Sequence, residues 1–305
     1  MEIKLGQTIE GAKNLNIWRT GLSYAYQKGP LYRKEWTNLY FSLLPQPPEE
    51  DKVLYYDVRK PLPFADGIFD AVYAMHIIEH LSLKEGLSFL KEIKRALKPG
   101  GICRLSTPDL EDIIRNYFKQ FKTCLADPSE INKRNYHWAQ LEVFDQLSRR
   151  KSGGDMIGAI KANNFDMNYL KERYGDVSAE FHLDKARAIE EKIRAQVNAE
   201  NAEDSAGRPL FKKIKGKIRH KLYQKRLQKA IRAHNWDPRK MLEANKWMHD
   251  RLSLRLLMEE AGLIEYRIKD YKTSDIQDWG RFQFDKSNFG DNAIEPSLYV
   301  EARKP

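Results

Sequence analysis

Three polar residues, His76, Glu79 and His80, stand in the otherwise apolar stretch MHIIEHL. Histidine is the side chain most often used as a general base near neutral pH. His76 follows the apolar run 69–75, so we expect it at the carboxyl end of a strand, where open α/β sheets bind their ligands. It is a candidate to remove a proton from a substrate or to contact one. For Glu79 and His80 a structural interpretation competes, in which they cap and pack the start of a helix.

A second group of polar and aromatic residues lies in 136–156, which reads YHWAQLEVFDQLSRRKSGGDM. Four of its side chains are spaced by four, three and four residues and would share one face of a helix: Trp138, Glu142, Asp145 and Arg149. A flat aromatic ring beside carboxylate, amide and guanidinium groups suits a sugar, which offers an apolar face and hydroxyls. The alternative is a helical lid held together by its own ion pairs.

The stretch 53–109 predicts the elements that would position His76. Apolar runs predict three strands, at 53–56, 69–75 and 102–106. Leucine and isoleucine recur at helical spacing through 78–97, and Pro99 followed by two glycines ends that pattern. Strand, helix, tight turn and strand in this order are typical of a parallel sheet that is buried on both faces.

Four segments of this stretch occur together in one superfamily: DVRKPLPF, FDAVY, HIIEHL and EIKRALKPGG. They resemble the class I S-adenosylmethionine-dependent methyltransferases. The resemblance implies an α/β, Rossmann-like fold with a seven-stranded mixed sheet, an antiparallel last strand and, in this chain, a helical insertion. We therefore divide the chain into a first part of the core, the insertion or lid, and a C-terminal part that completes the core, with bounds 1–109, 110–244 and 245–305. In the last part we expect a helix and two strands, at 245–262, 264–271 and 297–302.

The likeness extends to two earlier predicted strands, at 13–17 and 35–41. In the family, the turn after the first strand is glycine-rich, and an acid at the end of the second receives the ribose hydroxyls. This sequence has Gly21 alone in that turn and Tyr40 in place of the acid, whereas Asp57 resembles the acid beside the adenine. The resemblance implies that seven residues contact S-adenosylmethionine: Asn16, Trp18, Gly21, Tyr40, Asp57, Val58 and Met75. Two interpretations stay open, a weak or unusual cofactor site and a scaffold protein that has lost cofactor binding.

The stretch 136–156 is also similar to the insertion of bacterial methyltransferases from cell-surface polysaccharide gene clusters, which carry a Y-x-W…E…DQ…R…GG-x-M pattern. The resemblance implies that six residues border a pocket for a sugar or glycan acceptor: Tyr136, Trp138, Glu142, Asp145, Gln146 and Arg149. The implied reaction moves a methyl group from S-adenosylmethionine to a hydroxyl of a cell-surface polysaccharide or its lipid-linked sugar precursor, with His76 as the base. Trp279 and Asp285, in a long loop, could reach the same pocket or belong to the surface.

The net charge of +10 over 305 residues is concentrated in one segment. Residues 208–240 contain 13 Lys and Arg and one acid, so this segment carries +12 and the remainder of the chain −2. Within it, 208–235 has an apolar stripe and predicts a basic amphipathic helix. Three roles compete for this helix: peripheral contact with an anionic membrane, binding of nucleic acid as in a nucleic-acid methyltransferase, and packing as a solvated helix on the lid.

The composition of the chain restricts which cofactors and which cell compartment we expect. Two cysteines, Cys103 and Cys124, are too few for a disulfide framework, and the spacing of Cys and His matches no metal site, so we expect no metal. The first residues are too polar for a signal peptide, and no apolar run reaches the roughly 18 residues that span a bilayer. We therefore expect a cytoplasmic protein, with 208–235 as a candidate contact to the inner face of the membrane.

Overall fold

The computed structural model describes the following residues: 13–18, 35–42, 53–149, 154–174, 225, 229, 244–282, 284–285 and 297–305. Two sequence predictions lie outside them. Gly21 is one, and the basic segment 208–235 is the other, apart from residues 225 and 229. No helix within the described ranges is long and apolar enough to cross a membrane.

Seven strands form a single sheet: β1 (Asn14–Trp18), β2 (Thr37–Phe41), β3 (Leu54–Tyr56), β4 (Phe69–Met75), β5 (Leu97–Pro108), β6 (Ile264–Lys269) and β7 (Ser297–Arg303). Their order across the sheet is β3-β2-β1-β4-β5-β7-β6. The first five strands are parallel to one another, and β7 runs antiparallel to both β5 and β6. This is the Rossmann-like class I methyltransferase topology with an antiparallel last strand, so the predicted fold class is confirmed.

Seven α-helices accompany the strands in the described part of the chain: α1 (Leu83–Ala96), α2 (Leu110–Ala126), α3 (Glu130–Ser148), α4 (Gly154–Lys161), α5 (Met167–Tyr174), α6 (Arg251–Glu260) and α7 (Trp279–Phe282). Helices α2 to α5 follow β5 and precede β6, where the helical insertion was predicted. Asp109 caps α2, because its carboxylate accepts the backbone N–H groups of Glu111 and Asp112.

Both faces of the sheet are buried, which explains why β4 is a nearly continuous apolar run. Successive side chains of a strand point to opposite faces. Val72 and Ala74 belong to the core cluster that α1 and α6 cover, whereas Tyr73 and Met75 belong to a second cluster with Trp36 and other aromatic residues. His76, the candidate base, thus directly follows a strand that is packed on both faces.

The helix predicted over 78–97 is divided. A 3-10 turn, Ile78–His80, comes first, and α1 then begins after Ser82, whose hydroxyl accepts the N–H of Glu85 while the Glu85 carboxylate accepts the N–H of Ser82. This reciprocal cap is the physical reason for the later start. Ser82, and not Glu79, therefore caps the start of α1. The side chain of Glu79 is available for other contacts.

The predicted helix 245–262 starts several residues earlier than the helix in the structure. Its helical part is Arg251–Glu260, capped by Asp250, and Gly262 follows it at φ +81° as the expected stop. Residues 245–249 instead bind distant parts of the chain: the N–H groups of Lys246 and Trp247 donate to the carbonyl of Glu79 at 2.7 and 3.1 Å. These long-range hydrogen bonds replace the local ones of a helix.

Trp279 and Asp285 are neither at the surface nor in the insertion. The side chains of both residues contact Arg104, a fully buried residue of β5. Its guanidinium donates to Asp285 at 2.8 Å and to Glu301 at 2.9 Å, and its Cζ lies 4.2 Å from the centre of the Trp279 ring. This cluster attaches the segment around α7 to the second face of the sheet.

Candidate active site

The carboxyl ends of three neighbouring strands meet at the predicted cofactor site. Trp18, the last residue of β1, pairs with Tyr40 of β2 on one side and with Met75 of β4 on the other. These three predicted cofactor residues therefore lie at one level of the sheet. Asn16 lies two positions earlier in β1 and is buried inside the sheet, where its amide faces that of Asn38 at 3.5 Å.

Asp57, directly after β3, is already engaged by the chain. Two guanidinium nitrogens of Arg59 each donate to it at 2.8 Å, and the Arg59 N–H donates at 3.2 Å. Burial raises the pKa of Asp57, but the hydrogen bonds and charge of Arg59 outweigh burial, and the net pKa lies below its ordinary value. Asp57 is thus ionised at neutral pH and, with about four lone-pair sites, keeps capacity for a ligand donor. Its neighbour Val58 is part of the apolar core.

Tyr40 fits a nucleoside cofactor less well than an acid would. Only 3% of its surface is exposed, and its ring lies 5.0 Å from that of Tyr55. A phenol can exchange one hydrogen bond with a ribose hydroxyl, whereas a carboxylate can accept from both. The described residues could therefore hold S-adenosylmethionine at Asp57 and along the strand ends, where Tyr40 would offer the ribose a weaker contact than an acid.

His76 has an unusual backbone conformation, and each of its ring nitrogens contacts a side chain among the described residues. Its φ is +49°, which is uncommon for a residue other than glycine and persists where the surroundings enforce it. The N–H of His76 donates to the Ser106 carbonyl at 3.0 Å. Its ring lies between Glu79, with Nδ1 3.0 Å from Oε1, and Ser297, with Nε2 3.1 Å from Oγ. The ring is therefore held from both nitrogens.

Glu79 determines which nitrogen of His76 is basic. The carboxylate is buried, and its second oxygen accepts the hydroxyl of Thr107 at 3.3 Å. Burial raises the pKa of Glu79, but the hydrogen bond and charge of His76, with the charge of His80, bring the net pKa below its ordinary value. An ionised carboxylate only accepts, so Nδ1 of His76 must carry a proton. In the neutral ring the lone pair is then on Nε2.

His249 is a buried neighbour of this pair that sequence reasoning missed, because it fell inside a predicted helix. Its backbone forms a bridge with Asp109, and its carbonyl accepts the N–H of Leu110 at 3.0 Å. Burial lowers the pKa of His249, against the opposing charges of Glu79 and Asp250. His249 is thus neutral at physiological pH. Ser297 was also missed, since a serine at the start of a strand gives no local signal.

Two of the predicted acceptor residues, Trp138 and Glu142, lie in the interior of the insertion. Glu142 accepts the amide of Asn116 at 2.9 Å, Nε of Arg173 at 3.0 Å and the hydroxyl of Tyr174. Trp138 donates its indole N–H to the same tyrosine hydroxyl at 3.0 Å. Glu142 thus binds α2 and α5 to α3, which is the ion-paired lid considered as the alternative.

The remaining predicted acceptor residues separate. Asp145 accepts Nη2 of Arg149 at 3.0 Å and also accepts the N–H of Asp155 at the start of α4. Gln146 binds Asn245 twice, through its carbonyl at 2.7 Å and its side-chain oxygen at 2.8 Å. Tyr136 packs away from these contacts, with its ring 5.9 Å from the ring of Tyr117 and 6.1 Å from that of Phe121. The six predicted residues therefore lie on α3 or directly after it and have different partners within the described part of the chain.

Comparison with known proteins places the methyltransferase likeness in the same central stretch. Residues 44–105 match the methyltransferase domain family, and this range includes Asp57, His76 and Glu79. A sterol 24-C-methyltransferase of Gibberella zeae is 29% identical over 106 residues, which are 35% of this chain and 24% of that protein. The chain thus spans about a quarter of the length of this curated relative.

Two solved structures match this chain at low sequence identity and low TM-score. One is an S-adenosylmethionine-dependent methyltransferase of Thermotoga maritima, described as a possible histamine N-methyltransferase, at 12% identity and a TM-score of 0.29 over 83% of this chain and 64% of that one. The other is PigF with S-adenosylhomocysteine, at 11% identity and a TM-score of 0.34 over 95% of this chain and 50% of that one. Within the described ranges, no group of three or more His, Cys, Asp or Glu is placed to hold a metal ion.

Proposed function

We propose that this protein transfers a methyl group from S-adenosylmethionine to a hydroxyl group, with His76 as the general base. One observation carries the proposal: the His76 ring stands at the carboxyl end of β4 with Nδ1 on a buried carboxylate and Nε2 directed at a hydroxyl. This is the arrangement that a base needs to take a proton from an alcohol. The family match over 44–105 supports the cofactor class.

In the proposed mechanism, S-adenosylmethionine supplies an activated methyl group, and the chain positions and deprotonates the acceptor. The strand ends at Trp18 and Tyr40, together with Asp57, would hold the cofactor beside His76. Nε2 of His76 takes the proton of the acceptor hydroxyl. Glu79 keeps the ring in one orientation and stabilises its positive charge once it is protonated. Much of the rate acceleration would come from holding the two reacting groups together.

For the acceptor we propose a hydroxyl of a cell-surface polysaccharide or of its lipid-linked sugar precursor. The support is the resemblance of residues 136–156 to polysaccharide-associated methyltransferases. The contacts of Trp138 and Glu142 are within the insertion, so these side chains would shape the acceptor site through the position of the lid and not by direct binding.

A scaffold without cofactor is the second candidate, favoured by one observation. Tyr40, which replaces the ribose-binding acid, is packed against Tyr55 in the core and is 3% exposed. Loss of a charged hydrogen bond costs about 1.5–3 kcal/mol, or roughly ten- to hundredfold in affinity. The two candidates therefore differ in a directly measurable quantity, the affinity for cofactor.

Calorimetric titration with S-adenosylhomocysteine separates these candidates. We expect micromolar binding by the wild type, by His76→Gln and by His137→Gln, a partly exposed histidine on α3 that serves as control. With methyl-labelled cofactor and a panel of methyl glycosides, His76→Gln should lose about 10²–10⁴-fold in turnover while His137→Gln retains it. No heat at millimolar ligand, with an unchanged melting temperature, would instead establish the scaffold.

A further inference from the structure

We propose that Ser297 is a positioning residue whose hydroxyl holds the place on His76 that the acceptor hydroxyl must take, so that acceptor binding displaces it. This inference rests on the proposed function and specifies how the site recognises its acceptor. It concerns the contact between Oγ of Ser297 and Nε2 of His76, at 3.1 Å. Nothing in the family match requires a serine here, because residue 297 lies outside the matched range 44–105.

The direction of this hydrogen bond follows from Glu79. Nδ1 of His76 donates its proton to the carboxylate, so Nε2 of the neutral ring is an acceptor. The hydroxyl proton of Ser297 must then point at Nε2. An imidazole nitrogen has one lone pair in the ring plane, so it accepts one strong hydrogen bond at a time. While Ser297 donates, Nε2 is unavailable to a second hydroxyl.

The hydroxyl of Ser297 can leave this position without disturbing the sheet. It is the first residue of β7, where its backbone pairs with Pro108 of β5. A serine side chain turns about a single torsion with three staggered minima. Rotation about that torsion breaks the hydrogen bond from Ser297 to Nε2 while the strand stays paired. The exchange is therefore a change of rotamer, not a movement of β7.

The exchange limits which acceptors suit the site. A group that replaces the serine hydroxyl must donate a hydrogen bond to Nε2 and must then give up that proton. Hydroxyl groups meet both conditions, whereas carbon or thioether acceptors without an acidic proton would leave the bond to Ser297 intact. In the resulting step the acceptor proton moves to Nε2 and Ser297 keeps its own. The inference thus assigns the site to acceptors with a transferable proton.

The test compares Ser297→Ala with Ser297→Thr in the full chain. Alanine removes the competing hydroxyl, and threonine keeps it and suits a strand. For the methyl glycoside with the highest turnover, we expect Ser297→Ala to lower KM about two- to tenfold with kcat nearly unchanged. Ser297→Thr should behave like the wild type. In ligand-free protein, the ¹⁵N shift of His76 Nε2 should change in Ser297→Ala and be retained in Ser297→Thr.

Three outcomes would overturn the inference. A fall in kcat of more than about 10²-fold in Ser297→Ala, with KM unchanged, would show that Ser297 passes the proton itself. Unchanged KM and unchanged ¹⁵N shift, with normal binding of S-adenosylhomocysteine, would contradict displacement while leaving the proposed function intact. Absence of S-adenosylhomocysteine binding in the wild type would remove the proposed function and this inference together. Titration and melting curves of both variants establish that they fold.

Discussion

Nδ1 of His76 lies 3.0 Å from Oε1 of Glu79, and the side chain of Glu79 is only 2% exposed. A buried carboxylate in this position does two things for a base. It fixes the ring so that Nε2 faces the hydroxyl of Ser297, and it would offset the positive charge that the ring acquires on protonation. Both effects depend on the negative charge of Glu79 more than on its shape.

Glu79→Gln tests this dependence. Glutamine retains an oxygen that accepts from Nδ1 but removes the charge, so we expect turnover to fall about ten- to hundredfold. Affinity for S-adenosylhomocysteine should stay within about twofold, since Glu79 is directed at His76. Glu130→Gln, whose residue pairs with Lys133 at the surface of α3, is the control and should leave turnover unchanged. Full turnover in Glu79→Gln would show that the carboxylate has only a packing role.

Tyr40→Phe measures the ribose contact. Phenylalanine preserves the ring that lies 5.0 Å from Tyr55 and removes only the hydroxyl. If the hydroxyl binds the cofactor, affinity for S-adenosylhomocysteine should fall about two- to tenfold in calorimetry. Tyr55→Phe, on the neighbouring strand, is the matched control. Equal affinity in Tyr40→Phe and wild type would place the ribose elsewhere.

Arg104→Met should strongly destabilise the fold. The substitution leaves Asp285 buried without its cation and removes from Glu301 the nearer of two, since Lys269 stays at 3.9 Å. We expect a loss of about 3–5 kcal/mol in the free energy of unfolding measured with urea. Adding Asp285→Asn and Glu301→Gln should recover part of the loss, because the unpaired charges are then gone. The control is Lys98→Met, which breaks an exposed ion pair with Asp70 and should cost less than about 1 kcal/mol. Similar losses in the two single variants would contradict the role of burial.

His249 should make stability depend on pH between neutrality and pH 5. Burial lowers the pKa of His249 below its ordinary value of 6.5. The unfolded chain therefore binds a proton at a higher pH than the folded chain does. The contribution to stability is complete above pH 6.5 and is lost as the pH falls toward the folded pKa. The lowered pKa of Glu79 acts in a separate window, below its ordinary value of 4.5.

The measurement is the melting temperature at pH 7.5 and pH 5 for wild type and His249→Gln. We expect the wild type to lose more stability than the variant over this interval, and His137→Gln to follow the wild type. Parallel curves for wild type and His249→Gln would mean that the buried ring does not control the transition.

Gly154→Ala tests how the insertion is held. Gly154 has φ +61°, and a Cβ there would overlap the carboxylate of Asp145, so both backbone and contact oppose a side chain. We expect alanine to destabilise the protein and to expose α4 to hydrogen exchange. Gly158, in the same helix, has open space around it, and alanine there should stabilise by up to about 1 kcal/mol. Equal effects at the two glycines would refute the close contact at Asp145.

The sequence predicted the core better than the site because the core depends on local patterns. The run 69–75 became β4 without change, since a strand buried on both faces is apolar throughout. Helical spacing also predicted one shared face for Trp138, Glu142, Asp145 and Arg149, and the first three of these are buried residues of α3. It did not show what that face contacts, because periodicity along one helix contains no information about its partners.

The site residues that were missed have long-range partners. Ser297 is 221 positions from His76 in the chain, and Arg104 is 181 from Asp285. An arginine within the apolar run ICRLS was the available signal for a buried ion pair, since a lone charge is seldom left inside a sheet. For Ser297 and His249, no local feature distinguishes them from surface residues.

The position of β7 between β5 and β6 has a consequence for synthesis on the ribosome. β7 is made after every other described strand, yet it is not at an edge of the sheet. Until residues 297–303 emerge, one side of β5 has no pairing partner, and β6 has no sheet to join. The nascent chain therefore carries an unpaired strand edge, a feature that in general favours aggregation before folding is complete. Because the same strand brings Ser297 to His76, folding of the sheet and assembly of the proposed catalytic site are completed in one late step.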